Sequence, residues 1–250
     1  IQLQEGEVVT ALLNVPEKFT GESLIMCTRQ GTIKKTPAED FDNVRRSGLI
    51  AIKIRGDDSL EWVKEVSKGQ EVFVVTSAGQ CIQFNEKDCR PMGRPSMGVR
   101  GIKLKGTDIV VEMDVVKSAD AEVLVIMEKG LGKCSKINNY RLQNRGGSGI
   151  KAASITDKTG KVIAAKIFDS KEGMDLIVFS KLGQIIRLPL KDVPTQGRAT
   201  QGVYIMRLRS GDKVASISLI HQEPEGAEGE EAPETEERTA RPVKDGKKAG

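Results

Sequence analysis

The fold is decided by a twelve-residue stretch, "FVVTSAGQCIQF" at residues 73–84, because a similar stretch occurs four times in the chain. In each copy an apolar run is followed by a short polar turn, a glycine and a second strand-like run. The other copies are "IMCTRQGTIKKT" (25–36), "IMEKGLGKCSKI" (126–137) and "IVFSKLGQIIRL" (177–188). We align them on Gly31, Gly79, Gly132 and Gly183, with spacings of 48, 53 and 51 residues. A period of about fifty residues predicts a repeat protein.

A second glycine follows each turn glycine after 17, 19, 17 and 19 residues. The second glycines are Gly48, Gly98, Gly149 and Gly202, within "RRSGLIAIKI", "RPSMGVRGIKL", "RGGSGIKAASI" and "RATQGVYIMRL". Each unit therefore reads as four short strands, rich in Val and Ile and bounded by Gly, Asp and Ser. In the second unit we expect strands near 72–76, 80–84, 99–104 and 109–116. Four strands in about 45–50 residues are typical of a propeller blade.

The repeat sets the domain boundaries. The units lie near 24–66, 72–116, 123–167 and 175–219, within a domain at residues 1–221. The opening "IQLQEGEVVTALLNV" (1–15) aligns with residues 102–116, so we interpret it as the end of a preceding repeat. Units of this size bury their apolar faces only against their neighbours. The sequence thus predicts an all-β, propeller-like domain of about four complete four-stranded blades plus the end of a preceding one.

Charge divides the chain into a basic body and an acidic tail. Residues 222–250 contain nine acidic and five basic residues, and we predict that they form a disordered acidic tail. The remaining 34 basic and 26 acidic residues give the body a charge of +8. This asymmetry suggests a polyanionic partner with which the tail competes. A soluble domain with a solubilising tail is the alternative.

Several functional classes are disfavoured. Aromatic residues make up 4% of the chain, which argues against a base-stacking platform for single strands. The four cysteines, Cys27, Cys81, Cys89 and Cys134, form no CxxC pair, so we expect no zinc site and a reducing cytoplasm. We interpret Cys81 and Cys134 as small buried apolar residues. We find no catalytic constellation, no cofactor motif and no membrane-spanning run, so we expect no cofactor in this chain.

Basic residues recur at three positions: five residues after the second glycine, four after the first, and four before the second. In blades arranged around an axis, repeated positions trace a ring on which duplex DNA can bend through phosphate contacts. The predicted DNA-binding residues, which include basic neighbours of these positions, are Lys35, Arg45, Arg46, Lys53, Arg94, Arg100, Lys103, Lys136, Arg145, Lys151, Arg187, Arg198 and Arg207.

Four stretches, "GTIKKTPAEDF", "RPMGRPSMGVRGIKL", "KGLGKCSKINNYRLQNRGGSGI" and "GRATQGVYIMRL", resemble the C-terminal domain of the DNA gyrase A subunit, and the resemblance covers residues 1–221. It implies a β-pinwheel whose neighbouring blades exchange strands and whose basic rim wraps double-stranded DNA for negative supercoiling. It implies a non-catalytic part of an ATP-dependent type II DNA topoisomerase (EC 5.6.2.2). The implied partners are the rest of the gyrase A subunit, and through it the gyrase B subunit in an A2B2 assembly, in the bacterial cytoplasm at the nucleoid.

The family's gyrase-A box is a run of Gln, basic, Arg, Gly, Gly, basic and Gly. Here its pattern is matched by Gln143, Arg145, Gly146, Gly147 and Gly149, whereas Asn144 and Ser148 replace the two basic positions. We interpret residues 143–149 as a degenerate, later copy and expect the true box upstream.

Two alternative interpretations remain at this stage. One is the C-terminal domain of the topoisomerase IV A subunit, which is a related pinwheel with fewer blades and degraded boxes. The other is a protein-binding propeller, such as a regulator-of-chromosome-condensation type, which predicts no repeating basic rim.

Overall fold

A computed structural model describes residues 9, 11, 22–42 and 48–222, and the regular structure within them consists of short β-strands and four one-turn 3-10 helices. The strands are β1 (Ser23–Thr28), β2 (Thr32–Pro37), β3 (Leu60–Val66), β4 (Glu71–Thr76), β5 (Gln80–Asn85), β6 (Val99–Arg100), β7 (Val110–Val116), β8 (Glu122–Met127), β9 (Leu131–Lys136), β10 (Ile150–Lys151), β11 (Val162–Phe168), β12 (Met174–Ser180), β13 (Ile185–Pro189), β14 (Val203–Tyr204) and β15 (Val214–His221). The 3-10 helices are Ala38–Phe41, Glu86–Asp88, Ile137–Asn139 and Leu190–Asp192. The all-β prediction is confirmed. Within these ranges no helix has the length and apolar character needed to cross a membrane.

The strands form four antiparallel sheets, one for each repeat. Their orders are β3-β1-β2-β6, β10-β5-β4-β7, β11-β8-β9-β14 and β13-β12-β15. Each of the first three blades takes three strands from its own unit and a two-residue strand from the next. The predicted third strand at 99–104 is therefore only Val99–Arg100, and it pairs with Thr32 and Ile33 of the preceding unit. This pairing confirms the expected exchange of strands between neighbours.

The two edges of each blade have different neighbours. At one edge β3, β7, β11 and β15 lie next to one another in that order, so these strands line the centre of the arrangement. At the opposite edge lie the exchanged strands β6, β10 and β14. We call this outer edge the rim, and the segments 48–54, 94–104, 145–155 and 198–208 the rim segments.

The turn glycine of the third unit is Gly130, and the alignment on Gly132 is wrong. Gly31, Gly79, Gly130 and Gly183 all have φ between 74° and 83°. The N–H of each donates to the carbonyl three residues earlier, as in Gly130 to Met127. Gly132 instead lies inside β9, paired with Val203. The spacings become 48, 51 and 53, and the interval to the second glycine in this unit becomes 19.

The hydrophobic core lies between blades. One cluster joins the first two blades through residues such as Ile25, Ile33, Val74 and Phe84, and two further clusters join the second blade to the third and the third to the fourth. Because an inner blade has a neighbour on both faces, consecutive residues of β4 from Val72 to Val75 are all buried. Each such side chain contributes about 1.5–3 kcal/mol when removed from water.

The fourth blade is covered less completely than the others. It has three strands in the described part of the chain, and β13 has no exchanged strand beside it. As a result Leu182 and Ile185 are 68% and 60% exposed. Gln222, predicted to begin the tail, belongs to this blade, because its N–H donates to the carbonyl of Gly173 at 2.7 Å.

Several predictions lie outside the described residues. They concern Arg45 and Arg46, the acidic segment from residue 223 onwards, and all of residues 1–15 except Val9 and Ala11.

Candidate nucleic-acid interface

Successive rim segments are joined by an equivalent backbone hydrogen bond at each junction. The residue five positions after the second glycine donates its N–H to the carbonyl two positions before the second glycine of the next unit. These bonds run from Lys53 to Ser96 (3.0 Å), from Lys103 to Gly147 (2.8 Å) and from Ser154 to Thr200 (3.0 Å). These bonds join the rim segments of successive units into one series along the outer edge of the blades.

Five predicted residues on the rim have exposed and uncompensated charges. Among the described residues they have no ion-pair partner, and they are Lys53, Arg100, Lys103, Lys151 and Arg207. We call them the basic rim. Lys53, Arg100 and Lys103 line a single depression of about 540 Å³ at the junction of the first two blades, where Asp58 is the one acidic residue among the described residues of the lining. A surface of this kind attracts a phosphate backbone without reading base sequence.

The three arginines four residues before the second glycine are half-buried and hold neighbouring units together. Arg145 donates from Nε to the carbonyl of Asp88 at 3.1 Å and from Nη1 to that of Arg100. Arg198 donates to the carbonyl of Lys151 at 2.8 Å, and Arg94 to that of Asp40 at 3.3 Å. The prediction described these arginines only as phosphate contacts, whereas the structure gives them a packing role as well. Their positive charge remains on the rim because carbonyls do not neutralise it.

The structure removes two predicted residues from the free basic surface. Lys35 is buried and forms an ion pair with Glu86 of the next unit, so it cannot meet DNA. Arg187 is exposed, but its Nε lies 2.6 Å from the Asp175 carboxylate, which compensates its charge. Lys136 is exposed at the end of β9 that lies away from the rim strand β14. With Gly130 as the turn glycine, Lys136 is no longer at the position equivalent to Lys35.

The box-like loop packs along the outer edge of the second blade. Gln143 donates its N–H to the carbonyl of Gln83 at 2.8 Å, and Gly146 donates to that of Gly101 at 2.7 Å. Gly149 has φ of 73°, and a β-carbon there would overlap the carbonyl of Cys81, so the position requires glycine. The N–H groups of Gly147 and Ser148, both exposed, have no partner within the described protein. These two donors can each bond a phosphate oxygen.

Sequence reasoning missed two buried lysines under the rim. Lys34 and Lys133 are fully buried, three residues after their turn glycines. Lys34 Nζ donates to the carbonyls of Ala51 and Arg94, and Lys133 Nζ to those of Gly197 and Arg198. Burial lowers the pKa of both ammonium groups, that of Lys133 to about 8. Lys34 thus holds the rim segments of the first two units from below, and Lys133 holds that of the fourth unit.

The second unit has isoleucine at this buried position. Ile82 replaces the lysine there, as Ile186 does in the fourth unit. Ile82 lies under the box-like loop, within 3.8 Å of the point where a β-carbon on Gly147 would be. The correct register of the turn glycines would have revealed the alternation of lysine and isoleucine.

A further basic position recurs seven residues after the second glycine. Arg55, Lys105 and Arg209 occupy it, with Thr156 in the third unit, and all four are exposed. The carbonyl of each accepts a hydrogen bond from the N–H three residues later, for example from Asp58 to Arg55. Arg55 lines the same depression as Lys53. The periodicity rule that found the basic rim would have found this set too.

The cysteines are all buried and free. Burial raises the pKa of the Cys89 thiol to about 11 and that of Cys81 and Cys134 to about 12. The interpretation of Cys81 and Cys134 as apolar filling is confirmed, although Cys134 lies two positions further along its strand than Cys81 does.

Known proteins are similar to this chain in both sequence and fold. The family model described as "DNA gyrase C-terminal domain, beta-propeller" matches residues 22–67, 70–117, 121–169 and 175–221. The DNA gyrase A subunit of Staphylococcus epidermidis (strain ATCC 12228 / FDA PCI 1200) is 36% identical over 225 residues, which are 89% of this chain and 25% of that protein. Its counterpart from Staphylococcus aureus (strain NCTC 8325 / PS 47) is also 36% identical, over 98% of this chain and 27% of the relative. The chain thus spans about a quarter of the length of these curated relatives.

Two solved structures give the same result for the fold. A DNA gyrase A C-terminal domain superposes with a TM-score of 0.68 at 28% identity, covering 79% of this chain and 65% of that one. The C-terminal domain of a DNA topoisomerase IV superposes with a TM-score of 0.75 at 20% identity, covering 82% and 64%. The second likeness concerns the fold alone. The chain belongs to the DNA gyrase C-terminal domain family, as shown by its four matched repeats, its exchanged rim strands and its gyrase relatives.

Proposed function

We propose that this chain binds and wraps duplex DNA as the non-catalytic C-terminal module of a DNA gyrase A subunit. The observation that carries the proposal is the basic rim, in which uncompensated charges recur along segments joined by an equivalent hydrogen bond at each junction. A series of positive loops around the outside of a stack of blades favours a bent duplex over a straight one. The contacts go to phosphates and therefore require no metal or cofactor.

In this proposal the module belongs to a larger enzyme. The remainder of the gyrase A subunit would supply DNA cleavage, and the gyrase B subunit would join through it in an A2B2 assembly that supercoils DNA in the bacterial cytoplasm, at the nucleoid (EC 5.6.2.2). The support is the similarity to proteins that are about four times as long as the matched region. Topoisomerase IV is the weaker alternative, because the likeness to it at 20% identity is one of fold.

DNA topology provides the test. A relaxed circular plasmid is treated with a nicking-closing enzyme in the presence of the chain, and the linking number is measured after deproteinisation. We expect a shift of one sign that grows with the ratio of protein to DNA, because a chiral wrap constrains writhe. Binding without a shift would refute wrapping, and no binding at low salt would refute the proposal as a whole.

A further inference from the structure

Tyr204 occupies a rim position where the two preceding junctions have a basic residue. In register, Arg100 pairs with Thr32, Lys151 with Gln80 and Tyr204 with Leu131, and each partner directly follows its turn glycine. The third junction therefore presents an aromatic ring where the first two present a cation. Tyr204 is 47% exposed, whereas the other tyrosine, Tyr140, is buried in the core.

Two exposed cations lie against this ring. Lys158 Nζ is 5.5 Å from the ring centroid, and the guanidinium carbon of Arg207 is 5.3 Å from it. The two charges are therefore within about 11 Å of each other, held by the same aromatic group. Neither has an ion-pair partner among the described residues.

The phenol of Tyr204 is also free. Its hydroxyl has no hydrogen bond within residues 22–42 and 48–222, so the cation–π contacts of the ring leave the O–H available to a ligand. A phenolic O–H donates well to a phosphate oxygen, and a ring with two cations fixes their positions at little entropic cost.

We propose that Tyr204, Lys158 and Arg207 form one phosphate-binding site at the third junction of the rim. The Tyr204 hydroxyl donates to a phosphate oxygen, and its ring positions the two cations on the same or the adjacent phosphate. This inference rests on the proposed DNA binding, and it assigns a DNA contact to a residue that carries no charge.

Substitutions at Tyr204 separate the contributions of hydroxyl and ring. Binding of the 250-residue chain to a short linear duplex of mixed sequence is measured over a range of salt concentrations. Tyr204→Phe keeps the ring, so we expect affinity to fall about two- to fivefold at every salt concentration with an unchanged salt slope. Tyr204→Leu removes both, and we expect a loss of about threefold to tenfold.

The cations provide the internal control. Arg207→Gln should reduce the salt slope by about 0.9, because it removes one phosphate charge contact. In the Lys158→Gln/Arg207→Gln background, Tyr204→Leu should reduce the affinity for the duplex no more than Tyr204→Phe does, since the ring then has no cation to position. Wild-type affinity for both Tyr204 variants would overturn this inference alone. Failure of the unmodified chain to bind the duplex would overturn the proposed function instead.

Discussion

The salt dependence of DNA binding should fall by a calculable amount when two residues of the basic rim are neutralised. Arg100 and Lys103 are exposed on either side of Gly101 and Ile102, line one depression, and have no ion-pair partner among the described residues. We consider the variant Arg100→Gln/Lys103→Gln. Because neither side chain donates a hydrogen bond in the described protein, the exchange should leave the fold intact.

The expected magnitude follows from counterion release. Each phosphate contact contributes about 0.9 to the slope of log K against log salt, so two lost contacts reduce the slope by about 1.8. If the unmodified chain and the variant bind DNA equally at about 1 M salt, the variant binds about 60-fold more weakly than the unmodified chain at about 0.1 M salt. At about 0.2 M salt it binds about 20-fold more weakly. The loss should be the same for duplexes of different sequence, because phosphates carry no base information.

A charge-matched variant controls for net charge. Lys68 and Lys117 are exposed in the turns after β3 and β7, at the ends of the central strands rather than on the rim. Lys68→Gln/Lys117→Gln changes net charge by the same two units and should alter the slope little. Affinities measured by fluorescence anisotropy at several salt concentrations compare the two variants. An unchanged slope in the rim variant, or an equal change in the control, would refute the assignment of the basic rim.

Three further predictions concern the fold and the tail. Gly149→Ala should lower the free energy of unfolding by at least about 2 kcal/mol in urea denaturation, because the backbone of Gly149 is in the left-handed region and a methyl group there meets the Cys81 carbonyl. Unchanged stability would contradict that packing. Folding lowers the pKa of Lys133 to about 8, so the unfolded chain binds more protons between about pH 8 and 10.5, and the free energy of unfolding should rise across that range. Lys133→Met should lack this rise, which the difference between the two denaturation profiles measures. Deleting residues 223–250 should strengthen duplex binding by removing acidic competition, most clearly at low salt, and equal affinity would leave the tail without that role.

The sequence predicted the architecture because the repeat is carried by backbone requirements. A turn glycine with positive φ recurs in every unit, and the apolar runs around it can only be strands of similar length. The sequence of the third unit is ambiguous because "GLG" offers two glycines, and only the positive φ of Gly130 distinguishes it from Gly132. The exchange of rim strands was expected from family resemblance rather than from the residues, since a strand's partner is set by tertiary packing.

The charged positions were harder to predict, because sequence does not show what faces a lysine. Lys34 and Lys35 are adjacent, yet one is bound by two carbonyls and the other by Glu86, which lies about fifty residues away in the next unit. Adjacent residues of a strand point to opposite faces, and in an inner blade both faces are covered. The exposure of the basic rim agrees with the repeated sequence positions, because the segment after each second glycine lies at the outer edge of the sheets. That these residues bind DNA stays a prediction.

The exchange of rim strands also determines how such a domain can change in length. One complete blade requires β1 to β3 together with β6, so the segment that contains it also contains β4 and β5 of the next blade. No blade is therefore a contiguous piece of chain. A duplication or deletion of one whole repeat of about fifty residues nevertheless keeps the pattern. Every set of three strands is still followed by a rim segment from the next repeat, whichever position in the repeat the duplication or deletion begins at. Blade number can then vary by single periods, at the cost of one hybrid blade at the junction, and the length of the basic rim varies with it.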